Sequence, residues 1–361
     1  MSEKSNLLTL EELRSRMTLV NETLVENLND YFTVAGQIGR VKDALGLPYF
    51  DAAREAEMIS NVVDKNPGPV PDDLLKKIFR EIFSVSIEVM MLQKKMGLQV
   101  NRLPGMADAV VTTPHAAIGG KRKVLIGGPC AVESRDQMMS IAQHLHGLGI
   151  NILRGGAFKP RTSPYSFQGL EEEGLRIMRE TCDAFEMDMV TEVLSARDVG
   201  LVSQYADILQ VGTRNMFNYT LLKELGQSQK PVFLKRGLMA TIDEFVLAAE
   251  YVYAGGNTQV ILCERGIRTF ENQTRNTLDI SAVPILKNLT PLPVIVDVSH
   301  SLGRKDIIAP VARAALAAGA DGIMFEAHSN PEVALSDCEQ QLTPDEVADL
   351  VAALGQIAEL S

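Results

Sequence analysis

No uncharged apolar stretch in the sequence reaches membrane-spanning length, so no membrane-spanning helix is expected. Residues 1–9 are polar and do not read as a secretory leader. Cysteine is scarce: Cys130, Cys182, Cys263 and Cys338 are the only four, and none shows zinc-knuckle spacing. They read as thiols of a reducing compartment, so the expected location is cytoplasmic. The balance of 35 Lys and Arg against 46 Asp and Glu gives a net charge of −11, which argues against broad nucleic-acid binding. It also means that any anion site must be built locally. Tryptophan is absent and aromatic residues make up 5% of the chain, beside 46% apolar and 22% charged residues, as in an ordinary soluble protein. A length of 361 residues is enough for two folding units.

Residues 1–92 read as an all-helical domain. Leu13, Met17, Val20, Leu24, Leu28, Ala35, Ile38 and Val41 recur at helical spacings and make one long apolar stripe. Thr9 and Glu12 have the spacing of a capping box, and Gly46 and Pro48 suit the helix end. Further helices fit residues 52–63 and 71–93, with Asn66-Pro-Gly-Pro as the turn between them. Three such helices make a poor monomeric globule, so the stripe is expected to meet a partner chain or another domain. Residues 93–120 read as a linker with a possible hairpin, marked by Thr112-Thr-Pro and Gly119-Gly120.

From residue 121 to 361 the pattern changes to short β-branched runs alternating with helical segments. Strands are expected at 124–127, 150–154, 187–192, 208–211, 232–235, 260–264, 294–298 and 322–326. Helices are expected at 135–148, 170–185, 215–225, 242–253 and 306–318, among others. Eight strand–helix units in this length predict an α/β fold, a closed (β/α)8 TIM barrel. The rival is a doubly wound open sheet. It does not need eight similar units, and no Gly-x-Gly-x-x-Gly fingerprint follows the first strand.

In such a barrel the polar residues at strand C-termini converge on one face. Cys130 and Glu133 follow the first strand, Arg154 and Lys159 the second, Glu192 the third and Arg214 the fourth. Lys235 and Arg236 end the fifth, Glu264 and Arg265 the sixth, Asp297 and His300 the seventh, and Glu326 and His328 the eighth, with Asp337 beyond. The loop Arg154-Gly-Gly-Ala-Phe-Lys159-Pro-Arg161-Thr162-Ser163 puts three cations, two glycines and two hydroxyls at a strand end. That composition suits a multiply anionic ligand. A solvated basic patch is the plainer alternative, but the glycines and Pro160 imply a shaped backbone. Arg154, Lys159, Arg161, Arg214, Lys235 and Arg265 form a cationic set matched to carboxylate and phosphate. Salt-bridged structural roles explain some of these cations singly but fit the set poorly. Cys130, His300, Glu326 and Asp337 offer a thiolate, an imidazole and two carboxylates, a donor set for Mn2+, Fe2+, Zn2+ or Co2+. Singly, Cys130 is more ordinary as a core cysteine and His300 as a satisfied loop histidine. His328 competes for the imidazole role.

These residues sit in recognisable segments. Gly127-Gly-Pro-Cys130-Ala-Val-Glu-Ser134, Leu153-Arg-Gly-Gly-Ala-Phe-Lys-Pro-Arg-Thr-Ser163, Val211-Gly-Thr-Arg-Asn-Met216, Leu234-Lys-Arg-Gly237, Cys263-Glu-Arg-Gly-Ile-Arg268 and Asp297-Val-Ser-His300 closely resemble the 3-deoxy-D-arabino-heptulosonate 7-phosphate (DAHP) synthases. The likeness is to the type I branch nearest the Kdo-8-phosphate synthases, and it covers residues 121–361. It implies condensation of phosphoenolpyruvate with erythrose 4-phosphate at the entry to the shikimate pathway. By the resemblance, Cys130, His300, Glu326 and Asp337 are ligands of a divalent metal, Mn2+ first and Fe2+, Co2+ or Zn2+ as alternatives. Arg154, Lys159, Arg214, Lys235 and Arg265 bind phosphoenolpyruvate, while Arg161, Thr162 and Ser163 bind the aldose phosphate. Lys159 is the candidate proton donor, Asp297 orients the aldose hydroxyls or the metal-bound species, and Glu133 and Glu192 are candidates for handling water. Lys159-Pro-Arg-Thr-Ser163 looks like the erythrose 4-phosphate form of the loop. Kdo-8-phosphate synthase, which takes arabinose 5-phosphate, is the enzymatic alternative, and a metabolite-binding regulator on a dead barrel is the non-enzymatic one.

Glu12-Leu-Arg14, Gly39-Arg-Val-Lys42 and Phe50-Asp-Ala-Ala-Arg54-Glu resemble the all-helical chorismate mutases, intertwined dimers that bind a dianion with cations from both chains. The resemblance puts Arg14, Lys42, Asp51 and Arg54 at functional positions. Tyr31 stands where that family has an arginine, and Met90 where a glutamine or glutamate meets the breaking ether bond. Two readings follow: a weak or silent mutase retained as a sensor of chorismate or prephenate, or a working mutase with rearranged contacts. A homodimer or homotetramer is expected, with neither nucleic acid nor membrane as partner.

Overall fold

The computed structural model describes residues 9–159, 165, 167–356 and 358–360, without the side chains of residues 94–96. The chain divides into two compact units, Met1–Leu98 and Gln99–Ser361. Among the described residues no helix is long and apolar enough to cross a membrane.

The first unit is three helices, α1 (Leu10–Ala44), α2 (Ala52–Asp64) and α3 (Asp72–Met96). The capping box at the start of α1 is present: Thr9 and Glu12 satisfy each other's backbone N–H. Asp51 caps α2 by accepting from Arg54 N at 3.0 Å. Helix α1 has 35 residues, about 52 Å at 1.5 Å per residue. It outreaches its 13- and 25-residue neighbours. Along it only Ala35, Gly36 and Gly39 are buried, and a Cβ at Gly39 would come within 2.9 Å of Met90 on α3. The other end of the stripe stays open, with Leu13, Met17, Val20 and Leu24 between 48% and 60% exposed.

In the second unit, the expected hairpin is β1 (Val111–Thr112) paired antiparallel with β2 (Ala117–Ile118). Eight parallel strands follow: β3 (Val124–Gly127), β4 (Ile152–Arg154), β5 (Asp188–Glu192), β6 (Ile208–Val211), β7 (Val232–Lys235), β8 (Val260–Glu264), β9 (Val294–Asp297) and β10 (Gly322–Met324). Because β10 pairs with both β9 and β3, the sheet closes into a barrel, and the open-sheet alternative falls. Strands covered on both faces need continuous apolar runs rather than alternation, and β3, β6, β7, β8 and β9 are buried at every residue. Strand β9 stops one residue earlier than expected because the Asp297 side chain accepts from His300 N and starts a helix.

The helices are α4 (Arg135–Gly147), α5 (Glu171–Ala184), α6 (Val199–Val202), α7 (Tyr219–Gln227), α8 (Ile242–Tyr253), α9 (Ala282–Leu289), α10 (Val298–Leu302), α11 (Ile308–Ala317) and α12 (Pro344–Gly355). Helix α7 begins four residues later than its pattern predicts. Residues 213–215 form a separate 3-10 turn, and Asn218 caps the helix by accepting from Leu221 N. Val111 and Ile118 of the hairpin pack with Val124, Ile126, Ile152, Val190, Ile208 and Phe233 in one buried cluster. Each such side chain contributes about 1.5–3 kcal/mol. Thr113 Oγ1 donates to the Asp188 carboxylate at the start of β5, which also accepts from His115 N. The hairpin thus closes the N-terminal mouth of the barrel and leaves the chemistry to the opposite face.

Candidate active site

The site begins where two loops touch backbone to backbone. Gly128, just past β3, has φ 143°, and a Cβ there would lie 2.0 Å from the Arg154 carbonyl oxygen. Only glycine fits this approach. Beyond it, Val132 N donates to Gly156 O and Gly156 N to Cys130 O, each at 3.1 Å. This short ladder holds Cys130 beside the end of β4. Gly156 leaves room for Lys159, since a Cβ would stand 2.5 Å from its Nζ. Lys159 Nζ donates to Cys130 O and lies 3.2 Å from Cys130 Sγ.

Cys130 Sγ and carboxylate oxygens of Glu326 and Asp337 lie within 4.8 Å of one another. His300 Nε2 is 3.5 Å from Glu326 Oε1 and 4.0 Å from Asp337 Oδ2. Its other nitrogen, Nδ1, is 2.8 Å from Asp297 Oδ2. A carboxylate on Nδ1 fixes the tautomer that turns the Nε2 lone pair outward, the usual support of a metal-binding imidazole. His300, not His328, therefore faces the two acids. Two carboxylates, a thiol and an oriented imidazole converging in a buried place fit a divalent cation of intermediate softness.

The electrostatics agree with this geometry. Burial pushes the Glu326 carboxyl up, but the neighbouring His300 ring, the Arg154 charge and a hydrogen bond from Gln340 outweigh it and hold the group at about 2. Burial likewise opposes ionisation of Asp297, yet His300 and Lys235 keep it well below the usual carboxylate range. The Cys130 thiol is pushed up by burial and by Glu326, against the pull of Lys159 and Arg154.

Facing these donors is a cavity of about 230 Å³, lined by Cys130, His300 and Asp337 together with Arg154, Lys159, Arg214, Lys235, Arg265 and Glu192. Arg154, Lys235 and Arg265 are each 4–5% exposed. Arg154 pairs with Glu326, and Lys235 Nζ lies 2.6 Å from Asp297 Oδ2. Among the described residues Arg265 hydrogen-bonds only Gly266 O, at 3.4 Å, and burial pushes its pKa down. The Nε atoms of Arg154 and Arg265 are buried with no partner among the described residues. Buried donors without acceptors call for an anion.

Other expected residues lie elsewhere. Arg236 is a structural cation, 2.7 Å from Glu264 Oε2 and 3.0 Å from Asp279 Oδ2. Asp297 is fully buried behind His300 and Lys235 rather than lining the cavity, so its geometry is that of an orienting group. Glu133 does not line the cavity either; its Oε1 accepts from Leu335 N at 2.8 Å. Arg161, Thr162 and Ser163 fall outside the described residues. The cavity also takes in Gln210, Thr213, Arg268, Arg275 and Asn276, to which no role was given. Arg275 Nη1 is 3.2 Å from Asp337 Oδ2 and 2.8 Å from Gln340 Oε1, and Asn276 Nδ2 donates to His300 O at 2.8 Å. Arg268 ends the Cys263–Arg268 segment that follows the sixth barrel strand. Arg275 and Asn276 had no local signal, because they return to the site through the Ile267–Thr277 bridge and through bonds from their backbone N–H groups to Leu302 O and Ser301 O.

In the helical unit, Lys42, Asp51, Arg54, Tyr31 and Met90 line one largely apolar pocket with Val34, Ile38 and Phe83, whereas Arg14 does not line it. Lys42 Nζ donates to Tyr49 O at 2.8 Å, and Arg54 Nη1 is 2.6 Å from Glu57 Oε2.

Fold and site together define an anion-binding (β/α)8 barrel with a candidate divalent-metal centre at its C-terminal face. The chain belongs to the DAHP synthetase I family, whose model matches residues 106–360. The chorismate mutase type II model matches residues 13–91. A phospho-2-dehydro-3-deoxyheptonate aldolase of Thermotoga maritima is 52% identical over 252 residues, 70% of this chain and 75% of the relative. A 2-dehydro-3-deoxyphosphooctonate aldolase of Syntrophobacter fumaroxidans is 31% identical over 255 residues, 66% and 88% of the two chains. The crystal structure of the Thermotoga maritima DAHP synthase superposes with a TM-score of 0.71 at 49% identity, over 73% of this chain and 78% of that one.

Proposed function

We propose that the barrel condenses phosphoenolpyruvate with D-erythrose 4-phosphate and water, releasing DAHP and inorganic phosphate. The observation that carries this is the convergence of buried, under-partnered cations on the cavity that Cys130 and Asp337 of the Cys130–Glu326–Asp337 cluster line. The greater identity to the heptonate aldolase than to the octonate aldolase supports erythrose 4-phosphate as the sugar.

Arg154, Arg214, Lys235 and Arg265 hold the phosphate and carboxylate of phosphoenolpyruvate, with Lys159 at the boundary of the two substrates. Cys130, His300, Glu326 and Asp337 would hold a divalent ion, Mn2+ first and Fe2+, Co2+ or Zn2+ as alternatives. When bound, that ion supplies Lewis-acid polarisation of the aldose carbonyl. C3 of the enol attacks the aldehyde carbon, and Lys159 gives a proton to the developing alkoxide. Water adds at C2, with Glu192 as the cavity carboxylate placed to take its proton. The hemiketal phosphate then loses inorganic phosphate by C–O cleavage. Asp297 keeps His300 and Lys235 in place throughout.

The test strips the protein with a chelator, reloads it with each ion in turn, and supplies phosphoenolpyruvate with either aldose phosphate. Phosphate release is expected only after metal is restored and mainly with erythrose 4-phosphate. Full turnover in the stripped protein would refute the metal role, and faster turnover with arabinose 5-phosphate would refute the sugar assignment.

The helical unit supports a second role, as a sensor of chorismate or prephenate. Tyr31 and Met90 in the pocket offer no cation and no amide donor, so electrostatic stabilisation of a polarising ether bond is weak there. Lys42 and Arg54 still offer charge to an anion. Prephenate is expected to inhibit the synthase activity of the full chain, and Lys42→Ala to weaken that inhibition about tenfold, the loss of one charged contact worth ~1.5 kcal/mol. Equal inhibition of both proteins would count against the sensor. The open stripe on α1 supports self-association as a dimer or tetramer.

A further inference from the structure

Asp337 is an awkward metal ligand. It has a left-handed backbone, φ 52° and ψ 37°, which non-glycine residues rarely adopt. It sits far out on an excursion whose base is pinned by His328 N to Leu342 O at 2.9 Å and Leu342 N to Glu326 O at 2.8 Å. Nothing in that base fixes where Asp337 stands relative to Cys130, on a loop from the other side of the β10–β3 seam. Cys130 Sγ itself touches Ser336 Oγ at 3.1 Å and Asp337 Oδ2 at 3.5 Å, and Arg275 and Gln340 also reach Asp337 Oδ2. Two further ties join the loops away from the ligand atoms. Gln341 joins the loops by accepting from Cys130 N at 3.0 Å and donating to Ser336 O at 2.8 Å. Glu133 forms the second.

Glu133 lies three residues past Cys130, and its backbone is anchored to the start of α4 by Gln137 Oε1, 3.1 Å from Glu133 N. Its Oε1 accepts from Leu335 N, two residues before Asp337. Its Oε2 is 3.6 Å from His328 Nε2, two residues past Glu326. The imidazole is 3% exposed, and its Nε2 has no hydrogen-bond partner among the described residues. His328 Nδ1 accepts from Asn330 N at 2.9 Å, so this tautomer carries its hydrogen on Nε2, toward Glu133.

We infer that Glu133 and His328 are positioning residues that hold the Asp337 loop against the Cys130 loop and so set the geometry of the metal centre. The inference rests on the metal-centre reading above. It replaces water handling by Glu133, since one carboxylate oxygen is bound to the loop backbone, the other faces His328, and neither lines the cavity.

The test measures affinity for Co2+ by competition with a chelator, and the thiolate-to-cobalt absorption of the loaded full-length protein. Glu133→Ala is expected to weaken binding by about 10–100-fold, the usual range for losing an outer support of a ligand, and to shift the absorption band. Glu133→Gln, which still offers Leu335 an oxygen, should fall between wild type and alanine. Wild-type affinity and spectrum in Glu133→Ala would overturn the proposal, as would unchanged affinity with collapsed turnover, which would place Glu133 in the chemistry. If Glu133→Ala does not fold, His328→Gln decides on the same two readouts: weakened binding with a shifted band supports the pair, and wild-type values overturn it. Wild type and Cys130→Ser serve as controls for the underlying reading. A wild type without thiolate absorption, unchanged in Cys130→Ser, would mean that the metal centre itself is misassigned.

Discussion

Replacing Arg265 with methionine is expected to make the protein more stable and nearly inactive. The guanidinium is buried, no carboxylate is among its hydrogen-bond partners in the described structure, and its Nε has no acceptor. Burial already pushes its pKa down. Without an anion in the cavity it is a charge taken out of water, near Arg275 of the same sign and offset only in part by Asp297. An apolar side chain of similar length removes that penalty. In a unit of this size each ~1 kcal/mol recovered raises Tm by roughly 2–4 °C. On the proposed assignment the same change removes a fork aimed at phosphoenolpyruvate, so kcat/KM should fall by about 10²–10³-fold. Thermal melts and steady-state kinetics on the metal-loaded protein check both signs. A lower Tm with retained kcat/KM would make Arg265 a structural residue.

Arg236→Met should do the reverse. Arg236 follows its strand as Arg265 does, yet it bonds Glu264, Asp279 and the Ala240 carbonyl. Removing it strands Glu264, which is fully buried and among the described residues otherwise accepts only from Gly266 N at 2.6 Å. Breaking a buried pair this way costs about 3–5 kcal/mol, measurable by urea denaturation. Arg236 does not line the cavity, so folded variant should keep phosphoenolpyruvate affinity. The pH dependence has a definite sign. Burial pushes the Glu264 carboxyl up and Arg236 opposes it; without Arg236 the folded-state pKa rises further above the unfolded one. The folded variant then binds the extra proton, so its deficit is smallest in acid and grows as pH rises through that raised value. Stability equal to wild type at neutral pH would show that the pair contributes nothing.

These two arginines mark the limit of the sequence. Both follow a buried strand, both precede glycine, and no local pattern separates the one that waits for substrate from the one that closes a salt bridge. The difference lies in Glu264 and in the position of Asp279, on a loop fourteen residues beyond Arg265. The helices and strands were legible for the opposite reason. Apolar runs at 208–211, 232–235 and 260–264 carry their own burial, and the Thr9–Glu12 and Thr241–Glu244 boxes carry their own hydrogen bonds. At two of the boundaries that moved, the end of β9 and the start of α7, a side chain of Asp297 or Asn218 had captured a backbone N–H; β4 and β10 are also shorter than expected, by two residues each.

The chain by itself determined eight strand–helix units, a separate helical unit, and the strand ends that bear thiol, imidazole, carboxylate and cation, because period, burial and capping are local properties. It could not choose His300 over His328, set Asp297 behind the site, turn Glu133 toward Leu335, or bring Arg275 back to Asp337. Those outcomes were decided when β10 closed on β3, since closure fixes which loops become neighbours. The direction and partners of each charged side chain follow from that.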